Sequence, residues 1–484
     1  MGRRDTTEGM RRTKIVATIG PASESADSLR RLVAAGMDVA RLNLSHGTIE
    51  EKLATLERVR EAAKAEGRTV AVLADLPGPK PRTAELGVTG FDLDEGQRLA
   101  LVSGDGESTG NRLFVDDSVT ENLDLNDRLA VGDGQVILKI VSLGDDRSSA
   151  MVEVEAGGEL RGRPGIRAVG GSRYPAVPTR RDITLGQQMV EAGADLIGVS
   201  FAGSAEHMEA ARQVFGWGPG LVAKVETAMA VENLAGIVEA SDAVMVARGD
   251  LGVECALEDV PHLQKRIIQG SVLAGRPVIT ATQMLESMTT APVPTRAEAS
   301  DVANAVLDGT DAVMLSGETA IGHDPVLVVE TMARIVERAE AAADYQSWAR
   351  NMAEATREWE PGAEGAVGEA LARATWFVAS DVGAAAIVCC TMSGGTVRAV
   401  ARYRPETRLL GLTTEAHIAR KMALSWGVEP VLVPGAESPE ELIEQAVGEV
   451  RRLGFANEGE PVVLVAGASA GPSATPEMLR VVRA

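Results

Sequence analysis

Short apolar runs recur along the chain, separated by segments with helical spacing. Eight of them stand out: TKIVATIG (13–20), DVARLNL (38–44), TVAVLADL (69–76), DLIGVSF (195–201), LVAKVE (221–226), AVMVARGD (243–250), PVITATQ (277–283) and DAVMLSG (311–317). Helical segments follow most of them, such as SADSLRRLVAAG after the first and VENLAGIVEA after the fifth. Eight strand–helix units predict a (β/α)8 barrel, a fold whose chemistry sits at the strand C-termini. Most runs do end in polar residues: Arg41 and Asn43, Asp75, Ser200, Lys224 and Glu226, Asp250, Thr282, Ser316.

The alternation breaks between the third and fourth runs. Residues 83–173 are rich in Gly, Asp and short alternating strands such as RLALVS, VILKIVS and AMVEVE, which predicts an inserted all-β lid domain. The stretch 345–366 is charged and reads as helix or linker. AAAIVCCT (384–391), TRLLGLT (407–413), EPVLVP (429–434) and PVVLVAG (461–467), with helical segments between, predict a separate C-terminal α/β domain. The expected boundaries are an unstructured N-terminus over 1–9, the barrel over 10–82 and 174–345, the lid over 83–173, and the C-terminal domain over 350–484. Met10 is an alternative start to Met1, because the ordered pattern begins at Thr13.

A length of 484 residues fits two to four domains. Aromatics are only 3%, so the core must be mostly aliphatic. The net charge of −21 argues against nucleic acid as a partner and requires any anionic substrate to find a local cationic pocket. Cys255, Cys389 and Cys390 are odd in number and two are adjacent, which disfavours a disulfide framework and favours a reducing cytoplasm. No apolar run approaches the roughly 18 residues of a membrane span, and the basic, polar N-terminus lacks a secretory apolar core.

Residues two apart in a strand share a face, so Lys224 and Glu226 are expected side by side at a strand end, with Asp250 ending the next. Two carboxylates can hold a hard divalent cation, and an ammonium beside them can neutralise a phosphate. Taken alone, Lys-x-Glu is an ordinary ion pair and Arg-Gly-Asp an ordinary turn or cap. Their arrival together at successive strand ends carries the argument. Arg41, Asn43 and Ser45 share one face if their strand persists, either for function or as a hydrogen-bonded layer closing the barrel; His46 follows them. After Asp75, Leu-Pro-Gly-Pro-Lys-Pro-Arg is a stiff turn that throws Lys80 and Arg82 over the barrel mouth, or a rigid hinge with solvated charges. Thr282 gains weight only from its place at the seventh strand's end. The helix carrying Asp301 and Asn304 reads mainly as packing and capping. Thr391-Met-Ser-Gly-Gly-Thr396 opens a helical segment, where a phosphate site and a plain capping loop fit equally.

RRTKIVATIGPAS, GMDVARLNLSHG, LPGPKPR, KVE, MVARGDLGVE, ATQMLESM, PTRAEASDVANAVLDGTDAVMLSGETA and TMSGGT occur in the order in which the pyruvate kinase family carries them, and the chain resembles that family over nearly its whole length. The resemblance implies a barrel, an inserted lid and an effector domain, assembled as a homotetramer. It implies phosphoryl transfer from phosphoenolpyruvate to ADP, giving pyruvate and ATP. Carried over by position, Glu226 and Asp250 hold Mg²⁺ or Mn²⁺, Lys224 stabilises the transferring phosphoryl group, and Arg41 contacts the phosphates. The turn amides near Gly249 take the substrate carboxylate, and Thr282 lies beside the enolate. Asn43, Ser45, His46 and Arg82 line the nucleotide side.

Three departures from the family pattern set further expectations. Asn43, Ser45, Asp75 and the carbonyl of Leu76 match a K⁺ site, but members that need K⁺ tend to carry Glu where this chain has Lys80, so K⁺ is expected to be dispensable. In the lid, Pro164 stands at the position of a nucleotide-contacting Lys, with Arg163 and Arg167 nearby, and a paired Asp is reduced to Gly132-Asp133. Thr391, Ser393, Gly394, Gly395 and Thr396 match an effector-phosphate loop, whereas the later loop GASAGPSATPE (467–477) has no cation. A monophosphate effector, such as a sugar monophosphate or AMP, is therefore expected over fructose 1,6-bisphosphate. The competing readings are a pyruvate kinase-like regulatory protein crippled by its lid, and another phosphoenolpyruvate or pyruvate barrel enzyme such as a metal-dependent aldolase.

Overall fold

The computed structural model describes residues 11–79, 81–87, 90–104, 106–116, 119–120, 123–132, 134–169, 177–358, 363–467 and 476–484. The expected unstructured N-terminus, Met10, Lys80, Asp133 and most of the 467–477 loop lie outside the described residues.

Eight strands close a parallel barrel in chain order: Lys14–Thr18, Val39–Asn43, Ala71–Asp75, Leu196–Val199, Gly220–Val225, Ala243–Ala247, Val278–Ala281 and Ala312–Leu315. Each falls within one of the eight apolar runs, except that the fifth begins one residue before its run, at Gly220. All but the second are buried along their whole length, because helices cover the outside and side chains fill the inside. The second is the exception: Arg41 and Asn43 are only partly buried at its C-terminal end. The outer core is aliphatic, with Leu29, Leu32, Val59, Ile197, Ile237, Ile267 and Val329 among its buried members.

Capping boxes start three of the flanking helices, at Thr48 with Glu51, Thr179 with Asp182, and Thr295 with Glu298. The last of these gives the PTRAE stretch its capping role. Asp301 and Asn304 lie on the helix Arg296–Leu307 that it opens.

The insertion after the third strand is all β among its described elements. A six-stranded sheet and a two-stranded sheet enclose their own core of Leu99, Leu101, Leu129, Leu138, Ile140 and Val152. The C-terminal domain is a five-stranded sheet with two cores. Its four expected strands are present and parallel, and a fifth, Pro476–Arg483, pairs antiparallel with Pro461–Gly467. PEMLRVVR gives this edge strand little period-2 signal, and the sequence reading passed over it. Among the described residues the three cysteines are free, and no helix is long and apolar enough to cross a membrane.

Candidate active site

Lys224 is the centre of a buried cluster at the C-terminal face of the barrel. Its ammonium lies 3.0 Å from Glu226 Oε1 and 3.2 Å from Asp75 Oδ1, and it donates to Ser200 Oγ at 2.6 Å. Asp75 and Glu226 are each only 1% exposed. The pieces come from adjacent strands. Lys224 is in the fifth, Glu226 follows that strand directly, Asp75 ends the third, and Ser200 follows the fourth.

Each charge has compensation, as burial demands. Asp75 Oδ2 accepts from Arg41 Nε at 2.8 Å, and Arg41 also donates to Thr18 Oγ1 at 2.9 Å. Glu226 Oε2 accepts from the Phe201 amide at 2.6 Å. Phe201 takes a left-handed φ of 57° there. Ser200 Oγ donates to the Leu76 carbonyl at 2.8 Å.

The electrostatics follow. Burial works against the charged form of Lys224, but the carboxylates of Asp75 and Glu226 outweigh it and hold the ammonium well above its ordinary value. Burial would also raise Asp75, yet Lys224 and Arg41 pull it below the usual carboxylate range. Glu226 goes the other way. Burial pushes it up, Lys224 opposes this, and the negative charge of Asp250 adds to the rise. Glu226 and Asp250 are therefore two hard oxygen donors, each raised in energy by the other, which a divalent cation would relieve. The described residues contain no cluster of three acidic, His or Cys side chains able to hold a metal. A pair of carboxylates suits Mg²⁺ or Mn²⁺, whose shell is completed by water and substrate phosphates.

Three placements differ from the sequence reading. The sixth strand stops at Ala247, and Asp250 lies in the first turn of the helix Arg248–Glu254 instead of ending the strand. The second strand stops at Asn43, so Ser45 leaves the face shared by Arg41 and Asn43; its amide donates to Asn43 Oδ1 at 3.0 Å. Gly249, expected in a turn, is helical. Its amide donates to Thr282 Oγ1 at 2.8 Å, and Thr282 in turn donates to the Ala281 carbonyl at 2.7 Å. Thr282 sits just past the seventh strand at φ 66°, a conformation costly for a β-branched residue.

Arg248, which the sequence reading did not single out, holds this corner. It donates to the carbonyls of Ala281 and Thr282 and pairs with Asp301 at 2.6 Å. Ser200 and Thr18 were likewise missed as partners. A lone Ser or Thr at a strand end carries no signal until the strands are assembled.

The remaining residues lie around the rim. His46 is exposed. Arg82 is held by the inserted β domain, its amide donating to Asp116 Oδ2 at 2.7 Å and its guanidinium to the Arg163 carbonyl at 3.0 Å. Arg163 turns to the Thr83 carbonyl at 3.3 Å. In the C-terminal domain, Thr391 Oγ1 accepts from the Gly394 amide at 2.9 Å and Ser393 Oγ from the Gly395 amide at 3.3 Å. Gly394, at φ 78°, starts the helix Gly395–Ala401, in which Thr396 is the second residue.

The comparisons with known proteins agree along nearly the whole chain. The family described as "Pyruvate kinase, barrel domain" matches residues 10–329, and "Pyruvate kinase, alpha/beta domain" matches residues 369–482. The chain is 39% identical to the pyruvate kinase of Geobacillus stearothermophilus over 479 residues, covering 97% of this chain and 80% of that one. It is 37% identical to the pyruvate kinase of Sporosarcina psychrophila over 480 residues and 36% identical to that of Bacillus licheniformis over 480 residues, each covering 98% of this chain and 80% of the relative. The chain belongs to the pyruvate kinase family.

Proposed function

We propose that this protein transfers the phosphoryl group of phosphoenolpyruvate to ADP, giving pyruvate and ATP. The supporting observation is the buried Lys224 held by Asp75, Glu226 and Ser200, beside Asp250, on the chemical face of a barrel of this family. The bond from phosphorus to the enol oxygen breaks, and a bond to the terminal phosphate oxygen of ADP forms. The resulting enolate takes a proton at its methylene carbon, which makes the transfer strongly downhill.

Lys224 has the role of a fixed cation beside the transferring group, where a loose transition state spreads negative charge over the equatorial oxygens. Its carboxylate partners keep it protonated throughout. Arg41, oriented by Asp75, supplies a second cation for the phosphates. Thr282 lies on the enolate side, with Gly249 and Asp250 on the substrate carboxylate side. Glu226 and Asp250 would hold Mg²⁺ or Mn²⁺, which when bound neutralises phosphate charge and orients the substrate. Asn43, Ser45, His46 and Arg82 are assigned to the nucleotide side. Residues 10–82 with 174–345 form the catalytic unit, 83–173 the lid, and 350–484 the effector domain.

The finer assignments are part of the same proposal. Lys80 supplies from within the positive charge that K⁺ gives to relatives carrying Glu there, so the enzyme works without K⁺. Thr391, Ser393, Gly394, Gly395 and Thr396 bind the phosphate of a sugar monophosphate or AMP. The enzyme acts in the cytoplasm as a homotetramer.

ATP formation from phosphoenolpyruvate, ADP and Mg²⁺ in K⁺-free buffer tests the reaction and the role of Lys80 together. Full activity is expected there, and Lys80→Glu should make activity depend on added K⁺. Activity only with K⁺ in the parent enzyme would discard the Lys80 assignment alone. No activity in either buffer would discard the reaction. Stronger activation by fructose 1,6-bisphosphate than by the monophosphates, at matched sub-saturating substrate, would discard the effector assignment.

A further inference from the structure

The segment from Ser200 to Gly203 carries two groups that the buried cluster uses. Ser200 Oγ accepts from Lys224 at 2.6 Å, and the Phe201 amide donates to Glu226 Oε2 at 2.6 Å. To aim that amide, Phe201 holds its left-handed φ of 57°. A bulky residue stays in that region only where its surroundings over-determine it. Part of the constraint is packing, since Phe201 is buried. The rest lies two residues on, where Gly203 is tied at both of its backbone groups. Its amide donates to His207 Nδ1 at 3.1 Å, and its carbonyl accepts from Asn233 Nδ2 at 2.9 Å. There is no slack around it, because a Cβ on Gly203 would collide with Met229.

His207 reaches back from the third residue of the helix Ala205–Phe215, whose N-cap Ser204 makes no side-chain cap bond. In the capping boxes at Thr48, Thr179 and Thr295 the third residue that reaches back is a carboxylate: Glu51, Asp182 or Glu298. A carboxylate goes on accepting hydrogen bonds well into the acid range. An imidazole stops when it protonates, because both ring nitrogens then become donors. Burial lowers His207 below its ordinary value, while Glu206 and the Phe201 carbonyl oppose this. Glu206, on the same helix, is the charged group that acts on the ring among the described residues. Met229 and Asn233, which meet Gly203 from the other side, carry no charge.

We infer that neutral His207 is a positioning residue for Glu226: by fixing Gly203 it holds the Phe201 amide on the carboxylate. Its importance for turnover rests on the proposed reaction. The mechanical link from His207 to Phe201 does not, and the two are read separately.

His207→Ala removes the acceptor. His207→Asn returns an acceptor at the same branch of the side chain and does not titrate. At neutral pH, hydrogen exchange of the amides from Ser200 to Gly203 should be faster in the Ala variant than in the parent, and the Asn variant should restore the protection. For ATP formation, kcat should fall by about tenfold in the Ala variant, as misplacement of a site group does, and Asn should recover most of it. The pH profile separates positioning from mere helix capping. Between about pH 7.5 and about pH 5, kcat of the parent should fall about threefold or more relative to that of the Asn variant, because only the parent loses its acceptor on protonation. Unchanged exchange in the Ala variant would overturn the link. Unchanged kcat in the Ala variant, or pH profiles of parent and Asn variant that superimpose, would overturn the positioning role. A parent that forms no ATP at any pH would discard the reaction instead, and exchange alone would then decide whether His207 holds the segment.

Discussion

Lys224 makes its site by being surrounded. Its 3.0 Å and 3.2 Å contacts to Glu226 and Asp75 fix its position and its charge, so no proton equilibrium near neutral pH touches it. A cation this firmly held suits electrostatic stabilisation and cannot serve as an acid or base. Lys224→Met should therefore lower kcat by about 10³-fold or more, with a smaller effect on KM, as removal of a preorganised donor does. Steady-state ATP formation measures this. The variant should also lose stability, because Asp75 keeps Arg41 but Glu226 is left with only the Phe201 amide. A change confined to KM would show that Lys224 binds ground state and transition state alike. The residue scale was the most legible in the sequence: Lys-Val-Glu and Arg-Gly-Asp after apolar runs carry their chemistry openly. Arg248 was not legible, because its role is to hold carbonyls of a loop 33 and 34 residues away, and no local pattern records that.

At the scale of elements, the barrel places carboxylate and ammonium by register. Gly198 pairs with Asp75 across the third and fourth strands. A Cβ at 198 would lie 2.9 Å from Asp75 Oδ1, the oxygen that faces Lys224. The glycine therefore makes room for the carboxylate. Gly198→Ala should push Asp75 off Lys224, cost about 1–3 kcal/mol as overpacking does, and lower kcat by about tenfold or more through misplacement. Thermal unfolding and kcat are read together; a variant that loses stability but keeps kcat would show that Asp75 does not position Lys224. The eight strands were all readable, since full burial writes a continuous apolar run. What the pattern could not show is where a strand stops. MVARGD is apolar enough to read as strand to its end, but Gly249 and Asp250 turn into a helix once Thr282 accepts the Gly249 amide from the neighbouring strand. The edge strand Pro476–Arg483 escaped for the reverse reason: its place is set by pairing with Pro461–Gly467, not by its own periodicity.

For the whole molecule, buried ion pairs on the N-terminal side of the barrel join distant parts of the chain, and two conditions probe them. The first is acid. Asp38 is buried, which alone would raise it, but Arg11, Lys14 and Arg68 outweigh this and hold it below 3.8. A depressed carboxylate stabilises the fold above its unfolded value and loses that contribution as pH falls through its folded value. Tm should thus be flat from neutrality to about pH 4 on this account and fall below it, and Asp38→Asn should flatten the acid limb while lowering Tm at neutral pH. The second probe is the domain interface. Arg404 is 1% exposed, pairs with Asp311 at 2.9 Å, donates to the Gly309 carbonyl, and stacks over Trp426 at 4.9 Å. It comes from the C-terminal domain, whereas Asp311 and Gly309 come from the barrel. Arg404→Met keeps the volume but leaves Asp311 buried with only the Trp426 and Val278 amides. Breaking one side of such a pair costs about 3–5 kcal/mol, and the loss should fall on the interface first. In a denaturant titration, tryptophan fluorescence, which senses Trp426 and Trp348 at this contact, should shift to lower denaturant than the far-UV signal of the barrel. If both signals move together, Arg404 stabilises the molecule as one cooperative unit. If they part, the C-terminal domain is a separable body latched to the barrel. Removing Asp311's charge as well, in Arg404→Met with Asp311→Asn, should then restore part of the loss, because no uncompensated carboxylate remains.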